Sequence, residues 1–556
     1  MRILAFIDVL QTIGTYALYI LLFAVVLGVI VGIHEFGHFI FAKRGGILCR
    51  EYAIGMGPLL WKKKKGETQY SLRAIPLGGF CAIAGEEVEA DPFKDKEYIK
   101  LDIKDNVIKG FYLEDENPKI DYPRYKIVSY DIYDEAQTGK LFMTVLNDQQ
   151  DEITFDVDPQ AMLYYKKDEM QIAPYNRTLG SKSLGRRAMV MFGGPMMNFV
   201  LALVVFFIVG LCMGFEDYKS NEIGKINENT YNYSLGIRTD DRIIALETAT
   251  LGKVAISDWQ DIDEFLKKYS DGLYLNEYIN VTLENEDGNT KEAKVTPYVV
   301  IYNGGFSSDR KYLETNKVVV GVVDGLSDGL GDNSQLQAGD QIIEINGKKV
   351  TSWKDVAVVF KDYDKDESIA LKVLRKNKDN EEISEIDITV TPYSKKIMDS
   401  QTSLLGEGIS TVSIEFGISP AKKFNLFKSF GYSFTRTWQS ATAVFDTLGM
   451  LFSRTVSIKN LSGPIGIFSM TSEVAKYGIT YILSLIGLLS VNIGLMNLFP
   501  IPALDGGRLV FLGYEAITRK KPNPKVETAL ITITMILLLA LMAFASYSDI
   551  VRIIKG

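Results

Sequence analysis

Four long apolar runs constrain this chain more than any other feature of its sequence. They lie at 9–33, with a continuation to about residue 42, and at 188–215, 478–504 and 528–548. A helix needs about 20 mostly apolar residues to cross a bilayer. The first run is too long for a signal peptide and is not followed by a small-residue cleavage site, so we expect it to be retained. We therefore predict a polytopic α-helical membrane protein with about four transmembrane helices.

Basic residues predict the orientation of these helices. Lysine and arginine cluster in the predicted loops after the first run, with the stretch 62–65 among them, before the second run, and between the third and fourth. Such clusters favour the cytoplasmic side of a membrane. The two termini and the long segment at about 216–477 should then face outward.

The composition agrees with a membrane protein and excludes some other functions. Of the 556 residues, 47% are hydrophobic and 23% are charged, as expected when membrane spans are joined to charged soluble parts. The net charge of −8 gives no support for nucleic-acid binding. The three cysteines, Cys49, Cys81 and Cys212, are far apart, so they predict neither a disulfide framework nor a cysteine metal site.

The chain contains two histidines, and both follow the first apolar run. His34 and His38 are four residues apart, so a helix places them on one face, where both can reach one metal ion. Glu35 stands beside them to handle protons, as in the His-Glu-x-x-His pattern of zinc hydrolases. The alternative is a pair of histidines that only pack at a helix end.

A catalytic zinc ion usually takes three protein ligands, and Asp505 is the best candidate for the third. It lies at the end of the third run, in a segment, 497–507, that also contains two prolines and two glycines. A carboxylate at membrane depth is costly and is a functional candidate for that reason. A zinc ion would remove this cost. The alternative is an interfacial aspartate that caps the start of a helix.

Two β-rich segments are predicted between the first and second runs. Residues 70–85 alternate in polarity before Pro76 and turn at Gly78 and Gly79, which is typical of a short hairpin. This hairpin is apolar enough to dip into the membrane beside the metal, although an ordinary surface hairpin is the alternative. The polar insert at 87–180 predicts a small β-rich cytoplasmic module, whose role the sequence does not indicate.

The outward segment contains an internal repeat. A turn followed by an alternating strand occurs at 235–246 and again at 336–350, and helix-like stretches follow from Trp259 and Trp353. This repetition predicts two copies of one α+β fold, at 217–300 and 301–396. Both copies resemble PDZ domains, which bind extended peptides by strand addition. Spacers that bind no peptide are the alternative.

An amphipathic helical segment is predicted at 397–477, after the repeat. Its part at about 420–454 is rich in aromatic residues, which suits a helix that lies on the outer surface of the membrane. The alternative is that this helix packs against the two repeated units.

Together these features resemble the site-2 protease family, in its bacterial RseP-like branch of RIP metalloproteases. The resemblance is carried by the His34 to His38 motif, by Asn497-x-x-Pro-x-Pro-x-x-Asp505-Gly and by the PDZ-like units. Shorter matches lie at 75–80, 194–198 and 461–466. Most of the chain is covered, except for the insert.

The resemblance implies an intramembrane zinc metalloprotease, a zinc metalloendopeptidase of the bacterial plasma membrane with its active site near the cytoplasmic side. Its substrates would be transmembrane segments of single-span membrane proteins, such as anti-sigma factors or signal-peptide remnants, cut during regulated intramembrane proteolysis. The outward PDZ pair would exclude substrates whose outer domain has not been trimmed.

The resemblance also implies roles for individual residues. His34, His38 and Asp505 would hold Zn²⁺, and Glu35 would be the general base. Asn497 would position the substrate or the oxyanion, although a helix–helix hydrogen bond is the alternative for this side chain. The hairpin would bind the unwound substrate, through Leu72, Ile75, Gly78, Gly79 and Phe80.

Two other classes of function stay open on the sequence alone. One is a membrane zinc transporter or sensor, which would not need Glu35. The other is a PDZ scaffold with an inactive membrane part. The predicted domain order is the first helix with the hairpin at 1–86, the insert at 87–180, the second helix at 181–216, the PDZ-like units at 217–300 and 301–396, the amphipathic segment at 397–477, and the last two helices at 478–556.

Overall fold

The computed structural model describes most of the chain, which forms two compact units, 1–205 with 462–556, and 206–461. Each unit is described by itself. Backbone only is described at 2–13, 76–77, 168, 270–271, 313–315 and 555. The description excludes 1, 87–90, 95, 114–121, 135–136, 148–150, 166–167, 229, 272–276, 316, 327–330, 362, 364–366, 378–380, 395–396, 399–410, 416, 454–461 and 556. The predicted motif at 461–466 therefore lies partly outside the described residues.

Long apolar helices dominate the first unit. Four helices are long and apolar enough to cross a membrane, at Gly14–Arg44, Leu184–Met213, Ile479–Leu498 and Pro524–Ile554. They fit the membrane protein that the apolar runs predict. The principal helices of the chain are α1 Arg2–Arg44, α2 Leu184–Met213, α3 Tyr231–Ser234, α4 Trp259–Asp271, α5 Trp353–Lys361, α6 Leu426–Phe452, α7 Pro464–Ala475, α8 Ile479–Leu498, α9 Asp505–Thr518 and α10 Pro524–Lys555.

The third apolar run is not one continuous helix. The run predicts a span to about residue 504, but α8 ends at Leu498, and Phe499 is already extended. Pro500 and Pro502 follow directly, and a residue before proline is pushed away from helical geometry. Asp505 therefore begins the next helix, α9, rather than ending the third span.

The β-structure after α1 is larger than the predicted hairpin at 70–85. It consists of β1 Cys49–Lys65 and β2 Thr68–Ile83, two long antiparallel strands joined at a turn. Their bulged register places four segments side by side, in the order 79–83, 49–54, 68–72 and 59–65. The basic run at 62–65, which we expected in a loop, thus lies in β1. The positive charge of these lysines indicates the cytoplasmic side of a membrane, but it does not predict the conformation of the backbone.

The insert forms a small closed β-structure with an apolar interior. Strands β3 to β7 make a ring in which β4 pairs with β7 in parallel, and β8 flanks β7. Leu101, Phe111 and Met143 are fully buried in its core. The strands are β3 Tyr98–Lys104, β4 Val107–Tyr112, β5 Arg124–Asp131, β6 Phe142–Leu146, β7 Glu152–Tyr165 and β8 Asp168–Gln171.

The second unit contains two four-stranded sheets with the same order of strands, β11-β10-β12-β13 and β18-β17-β19-β20. A third sheet, β16-β15-β14-β21, takes strands from both sides of the boundaries predicted at 300 and 396. The strands are β9 Phe215–Glu216, β10 Arg242–Thr248, β11 Gly252–Ala255, β12 Ile279–Glu284, β13 Thr290–Val295, β14 Tyr298–Ile301, β15 Phe306–Ser308, β16 Val320–Val323, β17 Gln341–Ile345, β18 Lys348–Lys349, β19 Ile369–Lys376, β20 Ile383–Val390, β21 Val412–Glu415 and β22 Lys422–Lys423.

The two similar sheets also share local features that the sequence repeat predicts. A buried aspartate directly precedes the first strand of each, and it pairs with a cation of the same sheet, Asp241 with Lys291 and Asp340 with Arg375, both at 2.7 Å. In each sheet a helix that begins at a tryptophan follows the second strand along the chain, α4 after β11 and α5 after β18. The repeat is therefore visible in structure as well as in sequence.

Helix α6 exposes its large side chains and buries its small ones. The buried face carries Ser429, Ser433 and Ala443. Globular helices usually bury the apolar stripe instead, so α6 departs from the usual pattern. The exposed aromatic residues are Phe427, Phe430, Phe434, Trp438, Phe445 and Phe452.

Candidate metal centre

His34 and His38 lie one helical turn apart on the same face of α1. Both side chains are buried, and their Nε2 atoms are 3.2 Å apart. Imidazoles at positions i and i+4 point in the same direction from a helix. The sequence motif thus forms the two-ligand arrangement that its spacing predicts.

Asp505 brings a third ligand atom to the two histidines. Its Oδ2 lies 3.2 Å from Nε2 of His34 and 3.4 Å from Nε2 of His38. A tetrahedral zinc ion, with ligands at about 2.0–2.2 Å, holds its ligand atoms about 3.3–3.6 Å apart. The three separations are close to the edge lengths of that tetrahedron, so these residues fit a zinc ion.

The Asp505 carboxylate gives a second reason to expect a cation here. Its Oδ2 atom is buried and has no hydrogen bond of good geometry within the described residues. Removing a carboxylate from water costs several kcal/mol, as an order of magnitude. A metal ion between Asp505 and the histidines would remove that cost.

Close packing of the backbone delivers Asp505 to this position. The chain between α8 and α9 turns back on itself, and Gly506 and Gly507 are buried in the first turn of α9. A Cβ atom on Gly506 would lie 2.3 Å from the carbonyl oxygen of Leu498, and one on Gly507 would lie 2.2 Å from that of Ile501. Only glycine fits at these two positions, which explains the pair that follows Asp505.

Glycines also allow α2 to approach α1 at the metal centre. A Cβ atom on Gly37 would lie 2.1 Å from the carbonyl oxygen of Gly193. A Cβ atom on Gly194 would lie 2.3 Å from Nε2 of His38. The backbone of α2 therefore closes one side of the histidine pair. The family resemblance drew attention to 194–198, but the sequence alone did not show this role.

The second nitrogen of each histidine faces a partner on α2. Nδ1 of His38 lies 2.8 Å from the carbonyl oxygen of Val190. Nδ1 of His34 lies 3.2 Å from Nδ2 of Asn198, which is fully buried. The hydroxyl of Ser490, on α8, donates to the carbonyl oxygen of Asn198. Sequence reasoning missed Asn198 as a site residue, although it is a polar residue within the second apolar run and ends the matched segment 194–198.

Glu35 is on α1, between the two histidines in sequence, and its side chain lies next to the end of β2. The backbone N–H of Cys81 approaches its carboxylate. A Cβ atom on Gly79 would lie 3.4 Å from Cγ of Glu35. The hydroxyl of Tyr52, on β1, donates to the carbonyl oxygen of Gly32 at 2.6 Å. The sheet is therefore anchored beside the proposed base.

The other predicted site residues occupy different places. Asn497 is partly buried in the last turn of α8, and its side chain has no hydrogen bond within the described residues. Leu72 and Ile75 are exposed. Gly78 has a φ of +123°, and the guanidinium of Arg73 lies 5.1 Å from the ring centre of Phe80. Of these five hairpin residues, Gly79 lies beside Glu35, as described above.

An ion pair links the end of β2 to the helix that carries Asp505. Arg508 donates to Glu86 at 2.7 Å. Burial raises the pKa of Glu86 above its ordinary value, although the charge of Arg508 opposes this shift. Both residues line a cavity of about 300 Å³, together with Arg187, Glu515 and Lys521. Charged residues therefore surround a space next to α9.

Comparisons with known proteins agree with this geometry. The model of Peptidase family M50 matches residues 22–541. The chain belongs to this peptidase family. A zinc metalloprotease RasP of Oceanobacillus iheyensis is 30% identical over 96% of this chain and 98% of its own length. The regulator of sigma-W protease RasP of Bacillus subtilis is 29% identical over 96% and 98%.

A more distant relative carries a similar name. The putative zinc metalloprotease SA1105 of Staphylococcus aureus is 28% identical over 97% of this chain and 99% of its own length. These findings confirm the predicted family, the enzyme class and the need for Zn²⁺. The M50 member described here is an intramembrane zinc metalloprotease.

Proposed function

We propose that His34, His38 and Asp505 hold the zinc ion and that Glu35 is the general base of peptide hydrolysis. The observation that carries this proposal is the convergence of three ligand atoms from α1 and α9, all within 4.8 Å of one another. The three residues come from opposite ends of the chain, so their meeting is a result of the fold rather than of local sequence.

Individual residues of the chain then have separate roles in the hydrolysis. Bound zinc supplies Lewis acidity, which acidifies a water molecule and polarises the scissile carbonyl. Glu35 takes the proton from the attacking water at its carboxylate and delivers it to the nitrogen of the leaving amine. Asn497 binds the substrate or the oxyanion from the end of α8.

The substrate would be a transmembrane segment that unwinds and pairs with the free edge of the small sheet. The segment at 79–83 pairs with β1 on one side, and on its other side no strand is present among the described residues. An exposed edge is a template for strand addition. Gly78, Gly79 and Phe80 lie at or next to this edge, and the exposed Leu72 and Ile75 offer apolar contacts.

The two similar sheets of the second unit would act as PDZ domains on the outer side of the membrane. Their common strand order and their matched aspartate–cation pairs support one fold in two copies. They would bind extended peptides, or exclude substrates with a bulky outer domain. The name of the Bacillus subtilis relative, a regulator of sigma-W protease, suggests single-span regulators such as anti-sigma factors as substrates, with signal-peptide remnants as a second group.

A cleavage assay in detergent tests this proposal. Wild type, wild type with a zinc chelator, and Glu35→Gln are incubated with a single-span substrate that lacks a bulky outer domain. We expect cleavage within the span by wild type alone. Glu35→Gln should keep its zinc and lose at least about 100-fold in rate, since a positioned acid–base group contributes about 10² to 10⁴.

Two results would contradict the proposal. Full activity of Glu35→Gln would remove Glu35 from the mechanism. Zinc contents of His34→Ala and Asp505→Ala equal to that of wild type would show that the metal is bound elsewhere.

A further inference from the structure

The Asn198 side chain has two features that the hydrolytic mechanism leaves unexplained. Its Nδ2 faces Nδ1 of His34 at 3.2 Å, and its Oδ1 is buried without a hydrogen-bond partner in the described part of the chain. An amide nitrogen can only donate, so Nδ1 of His34 must accept in this arrangement. The proton of the His34 ring then lies on Nε2.

A proton on Nε2 is incompatible with metal binding through that atom. A histidine ligand binds through a deprotonated nitrogen and carries its proton on the other one. When Nε2 of His34 binds zinc, Nδ1 must therefore donate and needs an acceptor. The amide of Asn198 provides one after a half-turn about its last side-chain torsion, because this turn exchanges Oδ1 and Nδ2. The hydrogen bond between the two side chains is kept, and its direction reverses.

We propose that Asn198 is a positioning residue for the zinc ligand His34, to which it presents Oδ1 as the acceptor for Nδ1–H in the metal-bound enzyme. This inference rests on the proposed zinc ligands. Metal-bound histidines commonly donate their second N–H to a carboxylate, carbonyl or water, which fixes the tautomer and the ring orientation. His38 already has such a partner in the backbone carbonyl of Val190. Asn198 would supply the equivalent partner for His34.

The packing around Asn198 supports a fixed position for its backbone. Its carbonyl oxygen accepts a hydrogen bond of 2.8 Å from Ser490. A Cβ atom on Gly494 would lie 2.9 Å from Cβ of Asn198. Helix α8 therefore holds this part of α2 at close range, and the amide group can turn while the backbone stays in place.

Zinc affinity tests the inference without relying on proteolysis. Wild type, Asn198→Leu and Asn198→Asp are purified in detergent and titrated with a chelator that competes for zinc. Leucine has a similar size and no acceptor, so we expect zinc binding to weaken by about 10- to 100-fold, the usual effect of losing such an outer partner. Aspartate keeps an acceptor, so Asn198→Asp should bind zinc within about tenfold of wild type.

Asn492→Leu is a matched control, because Asn492 also has a buried Oδ1 without a partner among the described residues. Its zinc affinity should equal that of wild type. A second readout is the visible absorption of the Co²⁺-substituted proteins, which should differ from wild type for Asn198→Leu and not for Asn492→Leu.

The outcomes separate this inference from the proposed function. Wild-type affinity and an unchanged Co²⁺ spectrum for Asn198→Leu would overturn the role of Asn198. Zinc binding that survives His34→Ala would instead overturn the proposed ligands. If Asn198→Leu does not fold, Asn198→Ala and Asn198→Ser make the same comparison, and weaker zinc binding by alanine than by serine is the expected result.

Discussion

Gly194 shows how much the metal centre depends on the absence of a side chain. The space that a Cβ atom would fill at this position is occupied by the rings of His34 and His38. Neither ring can retreat easily, because each is held on its other nitrogen by a partner on α2. The residue next to two ligands is therefore as constrained as the ligands themselves.

A single methyl group at this position should disrupt the site. We expect Gly194→Ala to lower zinc affinity and proteolysis by at least about tenfold, because the added Cβ would lie 2.3 Å from Nε2 of His38. Gly185→Ala, on the same helix, is the control, since nothing lies within 4 Å of its added Cβ. Alanine favours a helix over glycine by up to about 1 kcal/mol, so the control should be at least as stable as wild type. Equal zinc affinity in the two variants would refute the expectation.

At the scale of elements, ion pairs and caps hold the segments around the metal centre together. The turn between β1 and β2 is tied to the segment before α2 through Glu67 and Arg177, which form two hydrogen bonds of 3.0 and 2.8 Å. Helix α10 is tied to α7 through Asp549, whose Oδ2 accepts from the backbone N–H groups of Gly463 and Gly466. Each connection joins distant parts of the sequence.

The pair between Glu67 and Arg177 should make a pH-dependent contribution to stability. The hydrogen bond and charge of Arg177 hold the pKa of Glu67 below its ordinary value of 4.5. The contribution is therefore present above that ordinary value and is lost as the pH falls through the lower pKa of the folded state. Arg177→Gln should destabilise the protein by about 1 kcal/mol or less at pH 7, since both side chains are partly exposed.

Thermal unfolding in detergent between pH 3 and pH 7 measures this effect. The difference between wild type and Arg177→Gln should shrink towards the acid end. Lys376→Gln is the control, because its partner Glu381 is highly exposed and the pair should contribute little. A difference that grows as the pH falls would contradict the assignment.

Asp549 should stabilise the start of α7 as a buried cap. Its removal in Asp549→Ala leaves two backbone N–H groups without their acceptor, and we expect a loss of about 1–3 kcal/mol in the free energy of unfolding. Asn keeps an oxygen that can accept, so Asp549→Asn should lose less. The measurement is unfolding of both variants in the same detergent, and a smaller loss for alanine than for asparagine would contradict the capping role.

At the scale of the whole molecule, the long apolar helices and the placement of two histidines on one helix face were the most predictable parts. Apolar length predicted the helices, and the spacing of His34 and His38 predicted that their side chains meet, because both signals are local. The long strand β1 was missed since its basic end reads as a loop. The end of α8 before Asp505 follows from Pro500 and Pro502, a local signal that the length of the apolar run concealed. The contact of Asn198 with His34 depends on how distant segments pack, which no local pattern contains.

The proposed outward units lead to a prediction about substrate size. A single-span substrate with a folded domain on its outer end should be cleaved at least about tenfold more slowly than the same span with a short tail, as expected for exclusion before binding. Time courses with the two substrates and wild-type enzyme measure this ratio. Equal rates would argue against a size filter and would leave peptide binding as the role of these units.

The approach of α2 to the histidines has a consequence for inhibitor design. With helix backbone against one flank of the ligand pair, a zinc-chelating group has no room to enter between α1 and α2. The flank beside Gly79 and Glu35 is bordered by a strand edge. An effective inhibitor should therefore be an extended peptidomimetic that carries its chelating group in place of the scissile bond.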